Sequence, residues 1–408
     1  MRSLAASLCL LLASLGAHAS APRPIHSAEA LRPTQATTDG AIALGNLQAQ
    51  IDSEERIGRS RPLTVAQRSG IAELVSLRGQ FLGRIADYER CEELAEQLVR
   101  DEPNDGASYL ARASARATFH RFDAAREDLD RAEQLGANAA SIASSRAAIL
   151  QATGRVDDAM EQRERAARER PTISSISALA SAHAERGDVE EADRLFGEAL
   201  DAYRDVSPFP VAWALAQRGL LWQREGELER ARASFLAAHE TLPQFVLAQG
   251  HLAEVEAALG HADRAVALLR PLVIASDDPD YAAQLARILE GSGHHAEAQR
   301  WRDAAAERFE QLLARHPEAF ADHAAELLLG VGGDPVRGFA LAKENLCVRR
   351  TGRALELVLQ GAIEVGDVAA TCDVLADVQA LHHQWPALRA LALDAGRECG
   401  ASAAGAGG

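Results

Sequence analysis

A small residue returns to the same place every 33 or 34 residues for most of this chain, and nothing else in the sequence restricts the fold as tightly. The unit is clearest over residues 213–243, WALAQRGLLWQREGELERARASFLAAHETLP. The spacing predicts two amphipathic helices, A over about 211–225 and B over about 228–241. Leu228, Ala231, Phe235 and Ala238 share one face of helix B. Gly219 falls where a facing helix must come close. Gly226 ends helix A in the left-handed conformation that glycine enters without a Cβ penalty, and Pro243 stops helix B.

Aligned on the place of Ala231, matching stretches end at Cys91, Ala125, Ala159, Ala192, Ala265, Ala298, Gly338 and Thr371. The steps are 34, 34, 33, 39, 34, 33, 40 and 33 residues. A hairpin with one apolar face cannot bury that face alone, so the series implies stacking on neighbours around a shared core. A buried Leu or Phe contributes about 1.5–3 kcal/mol, and each unit supplies several. The two long steps mark insertions. One is residues 204–210; the other, around 300–317, is a lengthened helix B that six extra residues extend by roughly 9 Å.

Small Gly in helix A, Gly at the turn, Ala-Phe-Ala in helix B and Pro at the end resemble the tetratricopeptide repeat (TPR), whose period is about 34 residues. The resemblance implies an all-α, right-handed superhelical solenoid of about nine helix-turn-helix repeats over residues 72–383, with the A helices lining a concave groove. Contacts are expected between neighbours only. A capping region is expected over 41–71 and a capping helix over 384–398, with a flexible tail over 399–408.

Residues 1–19, MRSLAASLCLLLASLGAHA, have one Arg, a short leucine-rich run and Ala17-His18-Ala19. That pattern predicts a secretory signal cleaved after Ala19, leaving an uncleaved anchor as the alternative. Its apolar run is short for a membrane span, so no membrane insertion is expected after cleavage. Residues 20–40 are rich in Ala, Pro, Thr and Ser without a period, and are expected to be a disordered linker. The reading is a periplasmic or secreted protein.

With 43 basic against 59 acidic residues the chain carries −16, which argues against nucleic acid as a partner. Arg112, Arg116, Arg146 and Arg163 fall in successive repeats and are expected to pair with nearby acids. An antiparallel hairpin turning near Gln384 would bring Cys372 and Cys399 to one level, predicting a disulfide there, with Cys347 a competitor for either. Cys91 takes a small buried position and is expected to be a core thiol.

No catalytic motif, phosphate loop or zinc spacing is present, so no enzyme activity and no cofactor are expected. The histidines, among them His316 and His323 beside Asp322, are expected to face solvent at turns. In TPR proteins the familiar groove chemistry clamps a peptide carboxylate with Lys, Asn and Arg on successive A helices. Here the inward candidates are Ser144, Ser177, Ser181, Gln217, His251 and Arg287, with Arg287 alone charged, so that clamp is absent. Ser141 and Ser174 are expected as helix N-caps. The function expected is a non-catalytic interaction scaffold of the bacterial cell envelope that holds another envelope protein or peptide in the groove. The alternative is a self-associating array with no peptide ligand.

Overall fold

The structure, a computed structural model, describes residues 36–405; the predicted signal and most of the linker, up to residue 35, lie outside the described residues. Helix α1 (Gly40–Ser60) precedes nine hairpins. The first four are α2 (Val65–Leu82) with α3 (Ile85–Asp101), α4 (Gly106–Thr118) with α5 (Phe122–Gln134), α6 (Ala139–Ala152) with α7 (Val156–Glu169), and α8 (Ile173–Arg186) with α9 (Val189–Ala202). Then come α10 (Phe209–Arg224) with α11 (Leu228–Thr241), α12 (Val246–Ala258) with α13 (Ala262–Ala275), and α14 (Asp280–Gly291) with α15 (His295–Leu313). The last two are α16 (Pro317–Leu329) with α17 (Pro335–Val348), and α18 (Gly352–Val365) with α19 (Val368–Gln379). Helix α20 (Pro386–Gly405) closes the array.

Inside the α10–α11 hairpin the local chemistry is the one the spacing implies. Ala231 and Phe235 are fully buried, and a Cβ on Gly219 would stand 2.5 Å from the Phe235 ring. That clearance is why glycine occupies the position. Gly226 turns the chain at φ 75°. Two serines are placed differently from expectation: Asn138 caps α6 and Thr172 caps α8, putting Ser141 and Ser174 inside the first turns. Both true caps accept the amide three residues on, which a residue already inside the helix cannot do for its own start. Helix α20 also continues to Gly405, through residues expected to form the tail.

The hairpins wind into a right-handed superhelix with TPR-like geometry. Successive A helices touch, as α8 does α10, α10 does α12, and α12 does α14, whereas among the described residues successive B helices have no comparable contact. The A helices therefore occupy the tighter, inner side of the curve.

The expectation of neighbour-only contacts is corrected here. The second superhelical turn comes down on the first, and residues 158 to 229 apart in sequence bond across the seam. At the N-terminal end Phe81 packs on Phe209 and Phe245, with ring centroids 5.0 and 4.7 Å apart. Thr38 donates its amide to the Val206 carbonyl (2.7 Å) within the first insertion. Midway, His316 stacks on Phe119 at 3.9 Å and contacts Arg121 and Glu89. The lengthened α15, 19 residues long, carries the chain to this contact. At the far end Gly154 lies against Arg350, and Gly187 against His383. Each small per-repeat rotation adds to the next, and after five repeats the coil meets itself.

One seam contact is a helix cap supplied in trans. Helix α3 has no side-chain cap of its own. The Asp277 carboxylate instead accepts the Ile85 and Ala86 amides at 2.6 and 3.1 Å, while Ser276 Oγ donates to the Gly83 carbonyl. Losing an N-cap costs roughly 1 kcal/mol. Asp277→Ala should lower stability by about that much in urea denaturation and speed amide exchange at Ile85 and Ala86. Unchanged exchange at those two amides would show that the cap does not hold in solution.

Candidate binding site: the inner wall

The inner wall is followed along the A helices, where polar side chains toward their C-terminal ends meet from one helix to the next. Its best-connected part spans three successive A helices. Glu254 on α12 accepts from Arg287 on α14 (2.6 Å) and from Gln223 on α10 (3.0 Å), and bonds to His251 Nδ1 one turn back (3.0 Å). Burial works to raise this carboxyl, yet the bond to His251 and the charge of Arg287 hold it far below the usual carboxylate range. The His251 ring stacks on Phe235 at 5.5 Å, which fixes its plane.

A second group lies further along. Gln151 on α6 donates to Glu185 on α8 (2.9 Å) and accepts from Arg163 (3.3 Å). Burial pushes the Glu185 carboxyl up and the Arg163 guanidinium down. Arg163 is 9% exposed, and its side-chain bond goes to this amide rather than to the acid expected for it. Arg112, Arg116 and Arg146 do pair with acids. Arg224 donates to the Ala184 carbonyl and lies over the Trp385 ring, 5.6 Å from its centroid. Trp385 in turn donates to Glu356 (3.2 Å), whose carboxyl burial raises. Arg353 bonds Glu326 between α18 and α16.

A third group is acidic and histidine-bearing. His323 Nδ1 meets Asp280 at 2.6 Å and its Nε2 lies 3.7 Å from Asp322. Burial would lower His323, but Asp280 and Asp322 override it and push it up to about 10. Burial, with Asp280 beside it, raises Asp278 to about 7. Across the seam, burial and the Arg349 charge lower His120 to about 4; Arg349 itself reaches His120 (3.1 Å) and Asp322 (3.6 Å). The picture of solvent-facing turn histidines is thus corrected for His316, which is buried in the seam, and for His323, which is ion-paired. Each ring nitrogen named here already has a partner. Among the described residues no group of three or more His, Cys, Asp or Glu could hold a metal ion.

Of the sequence candidates, His251 and Arg287 converge on Glu254. Ser144 is exposed on α6, Ser181 and Gln217 are half-buried, and Ser177 is buried with its hydroxyl unpartnered. Around these serines the wall carries ion pairs and amides. Glu254 itself was signalled in the sequence: it stands three residues after His251 and one repeat before Arg287. Cys372 and Cys399 form a disulfide with Cα atoms 5.7 Å apart, joining α19 to α20. Cys347 is free and exposed. Cys91 is free and buried, and burial pushes its thiol up to about 11.

Fold and wall together define a helical-repeat scaffold with TPR-like hairpins. No protein-family model matches the chain, and no curated protein does. Among solved structures it is similar to a human IFIT1 dimer with PPP-AAAA, at 17% identity and a TM-score of 0.49, covering 83% of this chain and 79% of that one. It is also similar to the APC/C hetero-tetramer Cut9–Hcn1, at 10% identity and a TM-score of 0.40, covering 84% and 85%. These are likenesses of shape at low identity, and nothing about ligands passes from them to this chain.

Proposed function

We propose that this protein is an exported, non-catalytic interaction scaffold of the bacterial cell envelope. It holds an extended polypeptide of mixed charge along the inner wall. The observation that carries this reading is the convergence of Arg287, His251 and Gln223 on Glu254 from three successive A helices. A charge-balanced wall of rigidly held acids and bases offers a passing peptide alternating donors and acceptors. The wall's balance of signs contrasts with the −16 charge of the whole chain, and that acidic excess favours a partner other than nucleic acid. The alternating signs set register more than raw affinity.

Fluorescence polarisation of the mature chain against a panel of labelled peptides, acidic, basic and mixed, tests it. The expected result is binding of mixed-charge peptides that weakens at least tenfold in Glu254→Gln/Arg287→Gln, with helicity unchanged. No binding by any class, or binding indifferent to the double substitution, would overturn the reading. Amino-terminal sequencing of the protein recovered from the envelope fraction should begin at Ser20; an intact Met1 there would replace the cleaved signal with the uncleaved anchor, and recovery of the protein only outside the envelope would remove the exported assignment.

A further inference from the structure

The seam between the two superhelical turns changes character along its length. Its N-terminal end sets a buried aromatic cluster beside the Asp277 cap: Phe81 is 2% exposed and wedged between Phe209 and Phe245. Its middle is mixed, with the Phe119–His316 stack inside a set of charges from Glu89, Arg121 and Arg315. Its C-terminal end is polar. There His383 meets Glu225 at 2.9 Å, His382 meets Asp157 at 3.1 Å with both side chains largely exposed, and Trp385 lies beneath Arg224. Of these pairs His383–Glu225 is largely buried, whereas an exposed pair such as His382–Asp157 holds far less tightly than a buried aromatic cluster. If the coil opens, it opens from this end.

Beside the backbone contact of Gly154 with Arg350, the two ion pairs and the Arg224–Trp385 contact come from the short loop between α19 and α20, residues 380–385. What holds the loop is its two flanking helices. Helix α20 is the last described element, and among the described residues it packs against α18 and α19, through Leu388 and Ala395 with Trp385 just before it. The covalent tie between the two helices is Cys372–Cys399, at a sequence separation of 27, which closes a hairpin around the loop. Both sulfur-bearing residues are half-buried, so a small reductant can reach them.

We infer that α19, α20 and the loop between them form a redox-held latch: while Cys372–Cys399 is intact it clamps the second turn onto the first at Gly187 and Glu225, and its reduction releases that end of the seam. The reaction is thiol–disulfide exchange with a dithiol. One thiolate of the dithiol attacks a protein sulfur to give a mixed disulfide, and its second thiolate closes on the first. Two protein thiols are left, and two electrons and two protons have come from the dithiol. Release leaves the aromatic N-terminal end of the seam closed, so the coil parts like a spring held at one end. The latch does not depend on what, if anything, the inner wall carries.

Hydrogen exchange on the mature chain, oxidised and then reduced with dithiothreitol, is the test, with free-thiol titration confirming that two thiols have been added. The latch predicts at least tenfold faster exchange in segments 183–188, 222–227 and 380–385 after reduction, with segment 83–86 at the aromatic end unchanged and total helicity preserved. Cys372→Ser/Cys399→Ser should behave as the reduced protein whether or not reductant is added. Unchanged exchange at the first three segments after confirmed reduction would overturn the inference. So would equal acceleration at 83–86, since that would mean general loosening and no latch.

Discussion

Phe81→Ala should cost about 3–5 kcal/mol, among the largest losses available from one side chain here. The ring is almost completely buried, although it sits at the last turn of α2 where a hairpin's end would ordinarily meet water. What covers it is the second superhelical turn, through Phe209 at the start of α10 and Phe245 just before α12. Removing it opens a cavity between elements that are distant in sequence. Trp213 packs against Phe245 with centroids 6.2 Å apart, so its fluorescence reports the site. The expected outcome in urea is an earlier transition followed by fluorescence, separating from the helix signal as the two turns unfold independently. A coil whose repeats touched only their neighbours would lose little from this substitution. A loss under about 1 kcal/mol with coincident transitions would mean that the seam contributes nothing to stability.

That contrast also explains what the sequence discloses and what it hides. Each hairpin is legible because its determinants are local. Gly219 and Phe235, or Gly226 and the helix start at Leu228, lie within one repeat, and the period of 3.6 exposes their common face. The seam is not legible, because its register depends on a rotation per repeat that no single repeat encodes. Nothing near Asp277 in the sequence announces that it caps Ile85. The two insertions are visible as a lengthened period, but what each meets, Thr38 in one case and Phe119 in the other, follows only from the pitch. The inner wall is legible in part. His251 and Arg287 stand out as polar groups on A helices, whereas Glu185 and Arg224 lie near the helix ends, where spacing alone does not say which way a side chain turns.

The second large effect is expected at Asp193, on the B helix α9. Its carboxylate accepts from Arg218 Nε and Nη2 (2.6 and 3.0 Å), from Trp222 Nε1 (2.8 Å) and from Arg230 (3.2 Å), pinning the fourth hairpin to the fifth. The Arg230 guanidinium also lies over the Trp222 ring, 3.1 Å from its centroid. Burial works to raise the Asp193 carboxyl, but Arg218, Trp222 and Arg230 outweigh it and the group is held below its ordinary value. Arg218 is itself buried. Asp193→Ala therefore strands a buried guanidinium, at a cost of about 3–5 kcal/mol. Replacing both partners in Asp193→Ala/Arg218→Met should recover most of that loss, because the desolvation penalty leaves with the charge. The pH dependence has a definite sign. A depressed carboxyl stabilises the fold above its unfolded value of about 3.9, and that contribution is lost as pH falls through the lower folded value. Urea midpoints measured from pH 7 down to pH 2.5 should thus fall more steeply below about pH 4 in the wild type than in Asp193→Ala, the two curves converging toward the acid end. Parallel curves over that window would mean that the carboxylate is not the charge on which the network closes.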